Sequence, residues 1–74
     1  MNLKEAIKEA KKKRLIYGVH YVAADKNGDM YVYLRVKPTR IREQWDGEEC
    51  SWYRLSGKYT GKAHWTRAIR KFIV

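Results

Sequence analysis

The chain carries one cysteine, one proline and one phenylalanine in 74 residues, and no acidic residue after Glu49. The lone Cys50 excludes an internal disulfide and any centre built on several cysteines. A single free thiol fits a reducing compartment. No stretch approaches the roughly 18 apolar residues of a membrane span. The opening Met1-Asn2-Leu3-Lys4-Glu5-Ala6-Ile7-Lys8 lacks the apolar run of a signal peptide. The expectation is therefore a soluble, intracellular chain without a membrane partner. Repeats, low-complexity tracts and Gly/Ser linkers are absent as well. A chain this short buries only about 60% of its unfolded surface and holds one core, so residues 1–74 are expected to form a single small basic domain.

What is present is apolar and cationic. Hydrophobic residues make up 45%, with three Trp and six Tyr, enough for a core and too much for a disordered segment. Lys and Arg number 17 against 8 Asp and Glu, a net charge of +9.

Over residues 2–13, Leu3, Ala6, Ile7 and Ala10 follow the spacing of one helical stripe. Asn2 with Glu5 three positions on has the form of a capping box. Lys11, Lys12, Lys13 and Arg14 fall at the carboxyl end, where cations complement the helix dipole. Residues 15–24 and 30–37 are rich in β-branched and aromatic side chains and flank Asp25-Lys26-Asn27-Gly28-Asp29. That turn chemistry predicts a hairpin with Gly28 at a left-handed bulge position. Pro38 is expected to end the second strand, lacking an N–H for the ladder. Residues 39–49 read as an acidic loop pinned by a buried Trp45, and residues 50–55 as a third strand. Gly57 to Gly61 form a turn. Trp65, Ala68, Ile69, Phe72 and Ile73 then follow helical spacing, with Thr60 available as a cap. The expected fold is α+β: a three-stranded antiparallel sheet with an N-terminal and a C-terminal helix.

If Asp25 pairs with Asp29, the ladder runs 24–30, 22–32, 20–34 and 18–36. One face then collects Ile16, Gly18, His20, Val22, Met30, Val32, Leu34 and Val36, and this face is core. Gly18 leaves room there for a helix to approach. The other face collects Tyr17, Val19, Tyr21, Tyr31, Tyr33, Arg35 and Lys37. A slip of one residue would mix the sets, so the alternation itself specifies the register. The tyrosine face has two readings: a half-buried second layer covered by a helix, or a stacking platform for unpaired bases built on Tyr31 and Tyr33.

Three motif readings fail on their own chemistry. Asp25 to Gly28 resembles the opening of a calcium loop, but Met30 and Val36 stand where Gly and Glu are needed. Gly57-Lys58-Tyr59-Thr60-Gly61-Lys62-Ala63 misses the phosphate-loop spacing by one residue, and Ala63 replaces the metal-binding hydroxyl. A helix opening there would at most hold an anion beside Lys58 and Lys62. His20, His64 and Cys50 show no spacing that joins a nucleophile to a base and an orienting group. No catalytic residue, metal ligand or cofactor is assigned.

The charge distribution is more informative. Residues 4–14 carry six bases and two acids, residues 35–42 hold Arg35, Lys37, Arg40 and Arg42, and residues 54–74 carry six bases and no acid. A surplus of this size exceeds what solubility needs and suits phosphate backbones or an acidic protein surface. The candidate contact residues are Lys11, Lys12, Lys13, Arg14, Arg35, Lys37, Lys58, Lys62, Arg67, Arg70 and Lys71. The plain alternative is a solvated cationic surface.

Asp25-x-Asn27-Gly28, Tyr31-x-Tyr33, Lys37-Pro38, Trp45, Tyr59-x-Gly61 and Trp65-x-x-Ala68-Ile69, in that order, resemble a pattern in small accessory proteins of tailed bacteriophages and prophages. The likeness covers roughly residues 22–70, and the Lys-rich N-terminal helix departs from it. The resemblance implies a phage setting, and with it the cytoplasm of a bacterial host. In that setting the expected function is non-enzymatic binding that modulates or inhibits host machinery acting on nucleic acid, as anti-CRISPR-type inhibitors do. The partner would be a host protein or nucleoprotein complex. The alternative is direct binding of DNA or RNA through a basic helix and the aromatic sheet face. The sequence sets no oligomeric state.

Overall fold

The computed structural model describes residues 1–47 and 51–74. Asn2 opens helix α1 (Leu3–Lys11): its side chain accepts from the Glu5 N–H at 2.8 Å, and the Glu5 carboxylate accepts from the Asn2 N–H at 2.9 Å. The capping box read in the sequence is thus formed. Ala6 and Ala10 are fully buried, with Leu3 and Ile7 packed beside them, so the apolar stripe is the docking face. Small side chains at its centre let the helix approach the sheet closely.

Strands β1 (Val19–Ala24) and β2 (Asp29–Leu34) pair antiparallel, with Ala24 opposite Met30, Val22 opposite Val32 and His20 opposite Leu34. This is the expected register. The turn is also as read: Gly28 N–H donates to the Asp25 carbonyl, Asp25 N–H donates to the Asp29 carbonyl, both at 2.9 Å, and Gly28 has φ 92°. Only glycine takes that conformation without steric cost.

The ladder stops sooner than expected. β2 ends at Leu34 because Arg35 turns left-handed (φ 67°), three residues before Pro38. Ile16 and Val36 therefore fall beyond the paired segment and are 49% and 45% exposed, not core. Gly18 faces the Arg35 side chain instead of a helix.

Two further strands complete the main sheet, in the order β5-β2-β1-β6. β5 (Trp52–Lys58) pairs with β2 and continues past Gly57, which the sequence reading placed in a turn. Cys50, the expected start of this strand, lies outside the described residues, as do Glu48 and Glu49 of the acidic loop. β6 (Ile69–Ile73) pairs with the open side of β1, His20 facing Phe72 and Tyr21 facing Lys71. The expected C-terminal helix is replaced by a 3₁₀ turn, Trp65–Arg67, capped by His64 rather than Thr60, and then by this strand. The competing signal was alternation: Phe72 faces the core while Ile69, Lys71 and Ile73 face the other side. Branched residues and an unpaired neighbouring edge favour the strand over a short helix.

Residues 39–46, expected as a loop, form a small hairpin of β3 (Thr39–Ile41) and β4 (Gln44–Asp46). The core lies between α1 and one sheet face, around Val22, Met30, Val32, Leu55 and Phe72. The small hairpin covers part of the opposite face, over Ala23 and Tyr33.

Buried His20 ties the end of the ladder together. Its Nδ1 accepts from the Arg35 N–H at 3.1 Å, so the proton resides on Nε2, which donates to the Ile16 carbonyl at 2.7 Å. Both ring nitrogens serve backbone, and the left-handed Arg35 is held by one of them.

Candidate functional site

The face opposite α1 carries most of the unusual surface. Sheet register places Tyr21, Tyr31, Tyr33, Trp52, Arg54 and Lys71 on it. Its centre is not the open platform that the first strands suggested. Tyr33 is 3% exposed and donates its hydroxyl to the Trp45 carbonyl at 3.2 Å, so it is a covered layer residue and not a stacking surface. Tyr31 is half-buried. Trp52, by sequence a plain strand residue, is 58% exposed and meets Tyr31 edge-on at 5.4 Å and 78°.

Between the sheet and the β3–β4 hairpin lies a cleft of about 150 Å³, lined by Tyr31, Tyr33, Trp45 and Trp52 together with Asp25, Gln44, Asp46 and Gly47. Trp45 fixes its wall. The backbone N–H of Trp45 donates to Asp25 Oδ1 at 2.8 Å, and its indole N–H donates to the Ala24 carbonyl at 3.0 Å. Burial pushes the Asp25 carboxyl up from its usual range, the Trp45 hydrogen bond opposes this, and nearby Asp29 adds to it. A second anchor joins the hairpin to the β1–β2 turn: Lys26 N–H donates to the Glu43 carbonyl, and the Lys26 ammonium meets the Glu43 carboxylate, both at 3.1 Å.

The candidate cations are not gathered into one stripe. Lys11 closes α1, Lys12 caps it, and Lys13 lies 4.7 Å over the Tyr53 ring, with exposed Arg14 following. Arg35 and Lys37 are exposed on the connection between β2 and β3. Arg67 sits in the 3₁₀ turn, and neighbouring Arg70 and Lys71 point to opposite sides of β6. The basic face of the expected C-terminal helix does not form, because residues 65–67 make a 3₁₀ turn and residues 69–73 a strand.

Two cations move to other roles. Lys58 pairs with Asp29, as does Arg54 at 2.9 Å, so Lys58 is committed to the sheet and not to a helix-end anion site. Lys62 joins Lys4 and Arg70 around a shallow groove beside the start of α1, with Asn2, Tyr59 and Gly61 in its walls. No sequence spacing singles out Lys4; only the docking of α1 against residues 59–63 brings it there.

His64 is occupied as a cap, its Nδ1 facing the Thr66 hydroxyl at 2.8 Å, and His20 serves the backbone. Among the described residues, no three His, Cys, Asp or Glu side chains are placed to hold a metal ion. No helix among them is long and apolar enough to cross a membrane. No family model, curated protein or solved structure matches the chain.

Proposed function

We propose that the chain is a small non-enzymatic binding protein whose cationic surface engages a polyanionic partner. Within the phage setting suggested by its motifs, that partner is host machinery acting on nucleic acid, met in the bacterial cytoplasm. The observation carrying this reading is the low degree of internal neutralisation. Of the 17 Lys and Arg side chains, ion pairs among the described residues take up Lys26, Arg54 and Lys58 alone. Charge left exposed in this way repels itself and raises association rates with partners of opposite sign. Cations spread over both ends of α1 and both sides of β6 suit a partner that surrounds or docks on the protein, such as a nucleoprotein complex. A pull-down from bacterial lysate tests this. Retention of a host component after nuclease treatment is the expected result; recovery of nothing from either sample overturns the reading.

Direct nucleic-acid binding is the second reading, favoured by exposed Trp52 beside Tyr31. Aromatic faces next to cations stack unpaired bases. The Lys4, Lys62 and Arg70 groove offers a phosphate contact at a distance from that pair. Neutralising about five phosphates gives a log–log salt slope near −3.5 for single strands and near −4.5 for duplex. A flat salt titration removes this reading.

A further inference from the structure

The cleft beneath the β3–β4 hairpin has the opposite electrostatic character to the rest of the molecule. In a chain of net charge +9, its lining among the described residues includes Asp25 and Asp46 and not one Lys or Arg. Four aromatic side chains, Tyr31, Tyr33, Trp45 and Trp52, form the remaining walls with Gln44 and Gly47. A phosphate chain would meet two acidic residues there and, among the described residues, no counter-charge. An organic cation would meet aromatic and acidic residues together.

We propose that this cleft is a receptor for one alkylated ammonium head group. Aromatic rings attract such a cation through their negative faces, with tryptophan the strongest. Alkylation spreads the charge over a larger, weakly hydrated group, which loses little on leaving water. A plain ammonium or guanidinium would demand acceptors on every side, and half of the described lining residues are aromatic. The volume, about 150 Å³, is of the order that holds a benzene-sized group.

The walls are set before any ligand arrives. Trp45 is held at its backbone and its indole, and Tyr33 is held through its hydroxyl. Trp52 is the exposed wall, set edge-on against Tyr31. Pre-set walls reduce the ordering cost of binding. The proposal is independent of the cationic-surface reading, which uses cations elsewhere, and it competes with the base-stacking reading, which draws on the same Trp52 and Tyr31.

The test is an NMR titration of the full chain with tetramethylammonium, following the three indole N–H signals. Trp45 and Trp52 should shift saturably, while Trp65, which is not in the lining, stays in place. Neopentyl alcohol, a neutral mimic of similar shape, should bind about ten-fold more weakly or not at all. Trp52→Ala and Asp46→Asn, both checked for an unchanged fold by circular dichroism, should each weaken binding by about three- to ten-fold. Trimethyl-lysine amide and phosphocholine then separate a protein side chain from a lipid-type head group as the source. Absence of a saturable shift with tetramethylammonium, an equal response to the neutral mimic, or a stronger response to cytidine or adenosine overturns the proposal.

Discussion

The Trp45 indole donates to the Ala24 carbonyl at 3.0 Å, linking the middle of β4 to the last residue of the central strand β1, 21 positions earlier. Asp25, the next residue, accepts the Trp45 backbone N–H at 2.8 Å. These two bonds attach β3–β4 to the main sheet and shape the cleft. Trp45→Phe keeps most of the ring but leaves the Ala24 carbonyl without this donor. The expected cost is about 1–3 kcal/mol, read as a lower urea midpoint. Loosening of the hairpin should also raise amide exchange at Tyr33 and Ala23.

A strand at residues 69–73 makes neighbouring positions unequal. Phe72 is 5% exposed and in contact with the His20 ring, centroids 5.7 Å apart, whereas Ile73 is 66% exposed. Phe72→Ala should cost about 3–5 kcal/mol. Ile73→Ser should stay within about 1 kcal/mol. In a terminal helix both residues would share the apolar stripe, so comparable losses in chemical denaturation would contradict the strand.

Gly61 lies under the Tyr59 ring, whose hydroxyl donates to the Ala63 carbonyl at 2.8 Å. A Cβ at position 61 would sit 2.4 Å from Tyr59 Cε1, inside contact distance. Because the ring is tethered at its far end, it cannot swing aside without losing that bond. Gly61→Ala is expected to destabilise by about 1–3 kcal/mol, measured by thermal melting. Removing the ring as well, in a Tyr59→Ala background, should reduce the added effect of Gly61→Ala.

Acid sensitivity has three named contributors. Hydrogen bonding from Ser56 holds the Glu9 carboxyl below its usual range, with Lys13 and Lys12 assisting against partial burial. Lys58, hydrogen-bonded to Asp29, does the same there, aided by Arg54. Both groups bind protons more readily in the unfolded chain. Their contribution is therefore complete above the unfolded carboxylate value of about 4 and is lost as pH falls through the lower folded values. Asp25 runs the other way: its pKa is raised, so the cost of its charge is relieved on acidification. Glu9→Gln should flatten the acid limb of a stability–pH curve, and Asp25→Asn should steepen it. Unchanged curves for both would contradict these assignments.

The sequence by itself determined what depends on neighbours in the chain. The α1 cap, its apolar stripe, the Asp25–Gly28 turn and the β1–β2 register all follow from contacts within a few residues or from strict alternation. Tertiary structure decided the rest. Residues 69–73 satisfy helical spacing and strand alternation alike, and the open edge of β1, with Phe72 meeting His20, settles them as strand. Arg35 is left-handed because buried His20 holds its N–H, a bond across 15 positions. The aromatic cleft assembles Asp25, Tyr31, Trp45 and Trp52 from separate segments, so no local spacing carries it. Side-chain periodicity fixes which residues share a face, but which faces are covered depends on how distant segments close over one another.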